Sequence, residues 1–227
     1  MRARGAVGAA LLSAGLCVAQ GGPGARAVQE SFEALLFEPP APGTYELPLI
    51  ARVAEHTLLG TEGERCALLA RGAGEVAIVS FIYRSCGDGA GCPLVLAALG
   101  RLDAALALRE DLAPRVRLVT ISIDPSRDTP KRMAELKRAL APKTSWRFLT
   151  ATDEAELAPL LSDFGQDVLP LVGEGDVFTG LLQHVVKVFL VDEHRDVRNV
   201  YSSGFLAVPI LLNDIETVVR EVDGSAD

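Results

Sequence analysis

The chain has 227 residues, 49% of them apolar, which is enough for one substantial core. Its formal charge of −8 is spread along the sequence with no basic block, which argues against nucleic acid or an anionic membrane surface as a partner. No repeat of solenoid or propeller period and no long low-complexity tract is present, so one globular unit is expected.

The first residues, MRARGAVGAALLSAGLCVAQ, place Arg2 and Arg4 before an apolar run from Ala6 to Val18 and a small residue at Ala19. This is the pattern of a secretory signal. The run is shorter than the ~20 residues a spanning helix needs. Residues 1–19 are therefore expected to be a signal peptide, with an uncleaved anchor or lipidation at Cys17 as the competing readings. Cleavage leaves three cysteines, Cys66, Cys86 and Cys92, in a protein that is exported or periplasmic. Residues 20–43, rich in Gly and Pro and containing a short amphipathic stretch at Val28 to Phe37, are expected to be a flexible tether. Residues 44–227 are expected to form the folded domain.

Val76 to Tyr83 is a nearly continuous apolar run with β-branched and aromatic residues, as expected of a strand covered on both faces. Pro93 to about Arg109 has helical spacing, and Pro93 suits a first helical position because its missing N–H costs nothing there. Arg117 to Ile123 reads as a second buried strand. Pro130 to Leu140 reads as a second helix capped by Thr129. A short strand is expected at Trp146 to Leu149, then a helix from Asp153 to Phe164 whose Asp153 and Glu156 have capping-box spacing. Val185 to Val191 and Val197 to Tyr201 are expected to be strands joined by the charged turn Asp192 to Asp196, with a last helix from about Val208 to Val222. This order implies an α/β fold with a mixed central sheet flanked by helices, and it fits a thioredoxin-like architecture.

That order puts the segment YRSCGDGAGCP, with Cys86 and Cys92, on the loop between the first central strand and its helix. Sites in α/β proteins gather at this end of a sheet. Cys92 is expected at the helix cap, where the dipole favours a thiolate, and Arg84 adds to this if it turns toward the loop while Asp88 opposes it. Gly87, Gly89 and Gly91 give the loop freedom to bring the two sulfurs together.

Three chemistries fit the pair. A local disulfide staple would restrain the unfolded chain by roughly 2–3 kcal/mol before strain. A dithiol/disulfide redox couple suits the strand-to-helix position. Soft-metal binding, copper in particular, needs an imidazole as well. Of the three histidines, His194 and His56 are expected to be solvated loop residues, and His184 opens the apolar strand that runs to Leu190. Position alone favours a strand-end structural role for His184. Cys66 is expected to be a small buried apolar side chain, with an intermolecular disulfide as the alternative.

Three blocks of the sequence resemble the Sco/SenC family, over roughly residues 40 to 220 and in the family's order. Val79-Ser80-Phe81-Ile82-Tyr83 followed by Cys86 and by Cys92-Pro93 is similar to its F-x-Y-x-x-C and C-P segment. Ser122 to Pro130 (SIDPSRDTP) matches its S-I/V-D-P-x-R-D-T-P signature, the most specific of the three. His184, an apolar run and Leu190-Val191-Asp192 sit where the family places its histidine and the strand after it.

The resemblance implies a thioredoxin-like protein of the cell envelope that binds copper and helps to assemble the copper site of cytochrome oxidases. It implies Cys86, Cys92 and His184 as ligands to Cu(I), with Cu(II) held by the same set and an added ligand. An envelope copper protein or oxidase subunit would then be the client of a monomeric metallochaperone. The alternative is a metal-independent thiol-disulfide oxidoreductase using Cys86 and Cys92. Asp124 and Asp128 are expected to order the turn, with Arg127 paired to one of them. The sequence departs from the family in having five residues between the cysteines rather than three, and Gly87 where the family has its first proline.

Overall fold

Every residue of the strand Val76–Ile82 is buried, the consequence of an apolar run with a single serine. In this computed structural model, which describes residues 37–69, 74–86 and 91–224, that strand lies inside the main sheet. In chain order the strands are β1 (Ala51–Arg52), β2 (Thr57–Leu59), β3 (Arg65–Ala67), β4 (Val76–Ile82), β5 (Val116–Ser122), β6 (Trp146–Leu149), β7 (Val168–Val172), β8 (Phe178–His184), β9 (Val188–Val191) and β10 (Asp196–Tyr201). The helices are α1 (Cys92–Leu106), α2 (Pro130–Leu140), α3 (Glu154–Asp163) and α4 (Val208–Gly224). The expected leader, the amphipathic stretch apart from Phe37, and Gly87, Asp88 and Gly89 lie outside the described residues. The described residues all fall within the unit Leu35–Asp227.

The main sheet has the order β1-β10-β9-β4-β5-β6. β4, β5 and β6 run parallel, while β9 is antiparallel to β4 and β10 to β9. This is the mixed α/β sheet expected, and the fold is thioredoxin-like. Two hairpins lie outside the main sheet, β2–β3 and β7–β8.

The core follows from the same apolar runs. Phe81, Phe164 and Phe189 pack edge to face with centroids 4.9 to 5.9 Å apart, fixing the end of α3 on β4 and β9. The polar groups caught in this core answer one another. Trp146 Nε1 donates to Thr120 Oγ1 at 2.9 Å, and the Thr120 and Ser80 hydroxyls are 3.0 Å apart.

Asp103 on α1 is 3% exposed and accepts from the backbone N–H groups of Lys143 and Thr144, at 2.7 and 2.9 Å, and from Thr144 Oγ1 at 2.6 Å. It locks the first helix to the loop that follows the second. Asp103→Ala strips three donors of their acceptor and is expected to cost about 2–4 kcal/mol of stability, read as a lower urea midpoint with an unchanged slope.

The N-terminal strap is held on α4. Gly43 N–H donates to Thr217 Oγ1 at 3.0 Å, and Tyr45 donates to Asp214 Oδ1 at 2.6 Å. Asp214, nearly buried, also accepts from Tyr201 and Asn199, both at 2.8 Å. The capping-box expectation at α3 holds in part. Asp153 accepts from Glu156 N–H at 2.8 Å, but Glu156 reaches back to Thr152 rather than to Asp153. Thr129 occupies the cap position of α2 without a side-chain cap bond.

Two expectations about single residues are corrected. His56 is not solvated: its Nε2 lies 2.8 Å from Asp163 Oδ2, with only 14% of the side chain exposed. That bond, with a second from Ala54 N–H, holds the Asp163 carboxyl below its usual pKa. Cys66 is half-buried rather than enclosed, because β3 belongs to a small outlying hairpin, and its Sγ lies 3.4 Å from Glu64 Oε1. His194 is 69% exposed, as expected of a turn residue.

Candidate functional site

The continuous burial of β4 ends at Tyr83, and the chain then turns, with Cys86 N–H donating to Tyr83 O at 3.3 Å. Gly91 takes the cap position of α1, so Cys92 is the first helical residue and Pro93 the second, one place later than expected. Cys92 is 3% exposed, and its sulfur accepts from Tyr83 N–H at 3.4 Å. Cys86 is half-buried beside it. The two side chains are close enough to interact.

Burial reverses the expectation of a stabilised thiolate. The Cys92 thiol is pushed up from its ordinary 9.0 to about 12, chiefly by desolvation, with Tyr83 N–H pulling the other way and Cys86 adding to the rise. Such a rise opposes the thiolate by roughly 4 kcal/mol, more than the ~0.3–1 kcal/mol that a helix terminus typically supplies. Cys92 is a neutral thiol unless a cation replaces its proton. Arg84 does not assist, because its guanidinium turns to Glu135 on α2, 3.3 Å away.

His184 arrives from the other side. The sequence pattern made it the start of an apolar strand; instead it is the last residue of β8, and three residues separate it from β9. The turn at Val185 to Lys187 is clamped from below, with Gln166 Nε2 donating to Val185 O at 3.0 Å and Lys187 Nζ to Gly165 O at 2.6 Å. Placed so, His184 Nε2 lies 3.8 Å from Cys92 Sγ. Tyr83 joins the two walls: its hydroxyl donates to Leu182 O at 2.9 Å, and its ring meets that of His184 edge-on at 5.9 Å. The result is a cleft of about 370 Å³ with Tyr83, Cys86 and Gly91 on one side and Leu171, Leu182 and His184 on the other.

Two ligands held about 2.0–2.3 Å from one first-row metal ion lie about 3.5–4.3 Å apart at tetrahedral to linear angles. The separation of Cys92 Sγ and His184 Nε2 falls in that interval. Three acidic, imidazole or thiol groups are not drawn together into a formed metal cluster among the described residues. The pairwise distance carries more weight for a soft ion of low coordination, since such an ion needs only two or three donors. The two thiols and the imidazole form a soft donor set, and among the described residues no carboxylate lines the cleft.

The SCO1/SenC family model matches residues 51–220. The chain belongs to the SCO1/SenC family. Solved structures with the same fold include a copper-bound Sco protein of Arabidopsis thaliana, at TM-score 0.62 and 21% identity over 75% of this chain and 99% of that one. BsSco, a member of the Sco family of cytochrome c oxidase assembly proteins with an identified disulfide switch, has TM-score 0.61 and 24% identity over 77% and 98%. Copper-bound yeast Sco1 has 0.57 and 19% over 74% and 90%. No curated protein sequence matches the chain.

In this SCO1/SenC chain the SIDPSRDTP turn stands behind the cysteines instead of among the donors. Asp128 is 1% exposed, and its Oδ2 accepts from Arg84 N–H at 2.9 Å and from Ser122 Oγ at 2.7 Å. Ile123 N–H donates to Ile82 O at 2.8 Å. The turn is thus fastened to the end of β4 at Ile82 and to Arg84, two residues before Cys86. Asp124 is the partner of Arg127, and it also accepts from Ser126 Oγ at 3.0 Å. The Arg127 guanidinium lies 6.0 Å from the Phe178 ring centroid, linking the turn to the hairpin.

The sequence singled out Cys86, Cys92 and His184, which the structure brings to one place, but it did not single out Tyr83 as the bridge between the walls. A tyrosine directly after a fully buried strand and three residues before a cysteine was the available signal.

Proposed function

We propose that this protein is a copper-binding assembly factor of the cell envelope that holds copper as cargo between Cys86, Cys92 and His184. The observation that carries this reading is the 3.8 Å approach of His184 Nε2 to the buried Cys92 sulfur across a cleft that Cys86 also lines. Family membership and the copper-bound relatives support it. The donor set is suited to Cu(I) and, with an added ligand, to Cu(II). Tyr83 N–H steadies the Cys92 sulfur, and the edge of its ring orients the imidazole. The client is an envelope copper protein such as an oxidase subunit, and the factor itself is a monomer.

Residues 1–19 act in this reading as an export signal, or as an anchor, ahead of the tether and the domain. No helix among the described residues is long and apolar enough to cross a membrane.

Titration of the reduced protein against a Cu(I) chelator is expected to give one copper per chain. No uptake under that competition refutes the reading. Because the Cys92 thiol is protonated up to about pH 12, copper must displace its proton. Apparent affinity is therefore expected to rise about tenfold per pH unit for each thiol displaced between pH 6 and 8. Proton release measured in weakly buffered solution checks the same point, and an affinity independent of pH contradicts ligation by Cys92.

A second reading, a metal-independent thiol-disulfide oxidoreductase, draws on the two neighbouring thiols, Cys86 lining the cleft and Cys92 buried beside it. It requires Cys86 to be the attacking sulfur, since the buried Cys92 is a poor thiolate.

A further inference from the structure

Seven of the twelve exposed large apolar side chains among the described residues lie on one short stretch, from Leu169 to Val185. Leu169 is 61% exposed and Val177 66%. All but Val185 belong to the β7–β8 hairpin, which is separate from the main sheet and ends in the candidate ligand His184. An apolar patch gathered on one element, rather than scattered singly, marks an interaction site.

The charge of the same region is one-sided. Between Arg147 and Lys187 the sequence has seven carboxylates and no lysine or arginine. Three of the seven are engaged within the fold: Asp153 caps α3, Glu156 pairs with Arg65, and Asp163 with His56. Glu154, Asp167, Glu174 and Asp176 are exposed and form no ion pair with the described residues. Glu174 and Asp176 stand at the tip of the hairpin.

We infer that the β7–β8 hairpin is the docking surface for the copper-exchanging client, a protein whose own metal-site face carries an apolar ridge flanked by lysine or arginine. This inference rests on the copper-handover reading. Direct passage of a soft ion requires donor and acceptor ligands to approach within a few ångströms, so whatever receives copper must cover the wall that carries His184. That wall is the hairpin, and Leu171, Leu181 and Leu182 continue its apolar surface into the cleft. The acidic tip opposes an anionic lipid surface and steers a basic protein toward the site.

The probe is the apo, soluble copper-site domain of the cytochrome c oxidase subunit from the same organism, with binding followed by calorimetry at low and high salt. The wild-type protein is expected to bind it, more weakly as salt rises. Leu169→Ser with Val177→Ser is expected to weaken binding about tenfold or more, while copper stoichiometry and circular dichroism stay at wild-type values. Glu174→Gln with Asp176→Asn is expected to remove most of the salt dependence.

Undiminished binding by the Leu169/Val177 double variant overturns the proposal. So does a wild-type protein that loads copper yet ignores the domain. Adsorption to phosphatidylcholine vesicles without binding of the domain, or a dimer in sedimentation that the double variant dissolves, assigns the patch to another occupant and overturns it equally. Absence of copper uptake by the wild type is a separate result, which removes the handover reading and not the measured contact.

Discussion

Cys92→Ala and His184→Ala are each expected to lower Cu(I) affinity by roughly 10²–10³-fold. Structural metal sites with four ligands bind with about 10–16 kcal/mol, which is about 3–4 kcal/mol per ligand, and each 1.4 kcal/mol is tenfold. The fold should survive both changes. Cys92 is packed at the start of α1, so alanine there leaves a void of about one sulfur atom and should cost about 1 kcal/mol. His184 ends an outlying strand and is half-buried.

The two variants separate the copper reading from the metal-free one. Cys92→Ala weakens copper binding and abolishes dithiol chemistry together. His184→Ala weakens copper binding while leaving the Cys86–Cys92 couple able to cycle, so its reduction potential should stay within about 30 mV of wild type. Chelator competition under anaerobic conditions and equilibration with dithiothreitol supply the two readouts. Wild-type copper affinity in His184→Ala would exclude the imidazole as a ligand and reduce the site to its two thiols.

The parts that the sequence made legible are those in which one physical demand dominates. β4 and β5 are buried on both faces, so their apolar runs predicted them to within a residue or two. Pro130 and the run that follows it gave α2 its bounds, Pro130–Leu140. The β7–β8 hairpin was not legible, because its apolar residues face solvent while Pro170, Gly173, Gly175 and Gly180 interrupt any period. An apolar strand without a buried face has no alternation to read.

His184 was misplaced for the same reason: the apolar residues run on from it into β9, and the break at Val185 to Lys187 is fixed by distant partners, Gln166 and Gly165. The charge state of Cys92 was misjudged because a helix terminus is visible in the sequence and burial is not. Local signals gave the cysteines their place, whereas the protonation and the imidazole's approach depend on packing from three separate elements.

Asp128→Ala is expected to damage the site without touching it. Its carboxylate is buried and takes both the Arg84 N–H and the Ser122 hydroxyl. Removal leaves the buried Ser122 hydroxyl and the Arg84 N–H without that acceptor, at a cost of about 1–3 kcal/mol. Arg84 lies two residues before Cys86, so loss of this anchor lets the cysteine arm drift from its position opposite His184. Copper affinity is expected to fall roughly tenfold, as for other residues that orient metal ligands from behind. Asp128→Asn retains one acceptor oxygen for Arg84 N–H and is expected to recover most of the affinity while remaining less stable than wild type. Urea midpoints and copper competition, both measured at a temperature where all three proteins are folded, separate the two effects. A folded Asp128→Ala protein with wild-type copper affinity would limit Asp128 to holding the fold, and the position of Cys86 would then have to be set by Tyr83 and α1 alone.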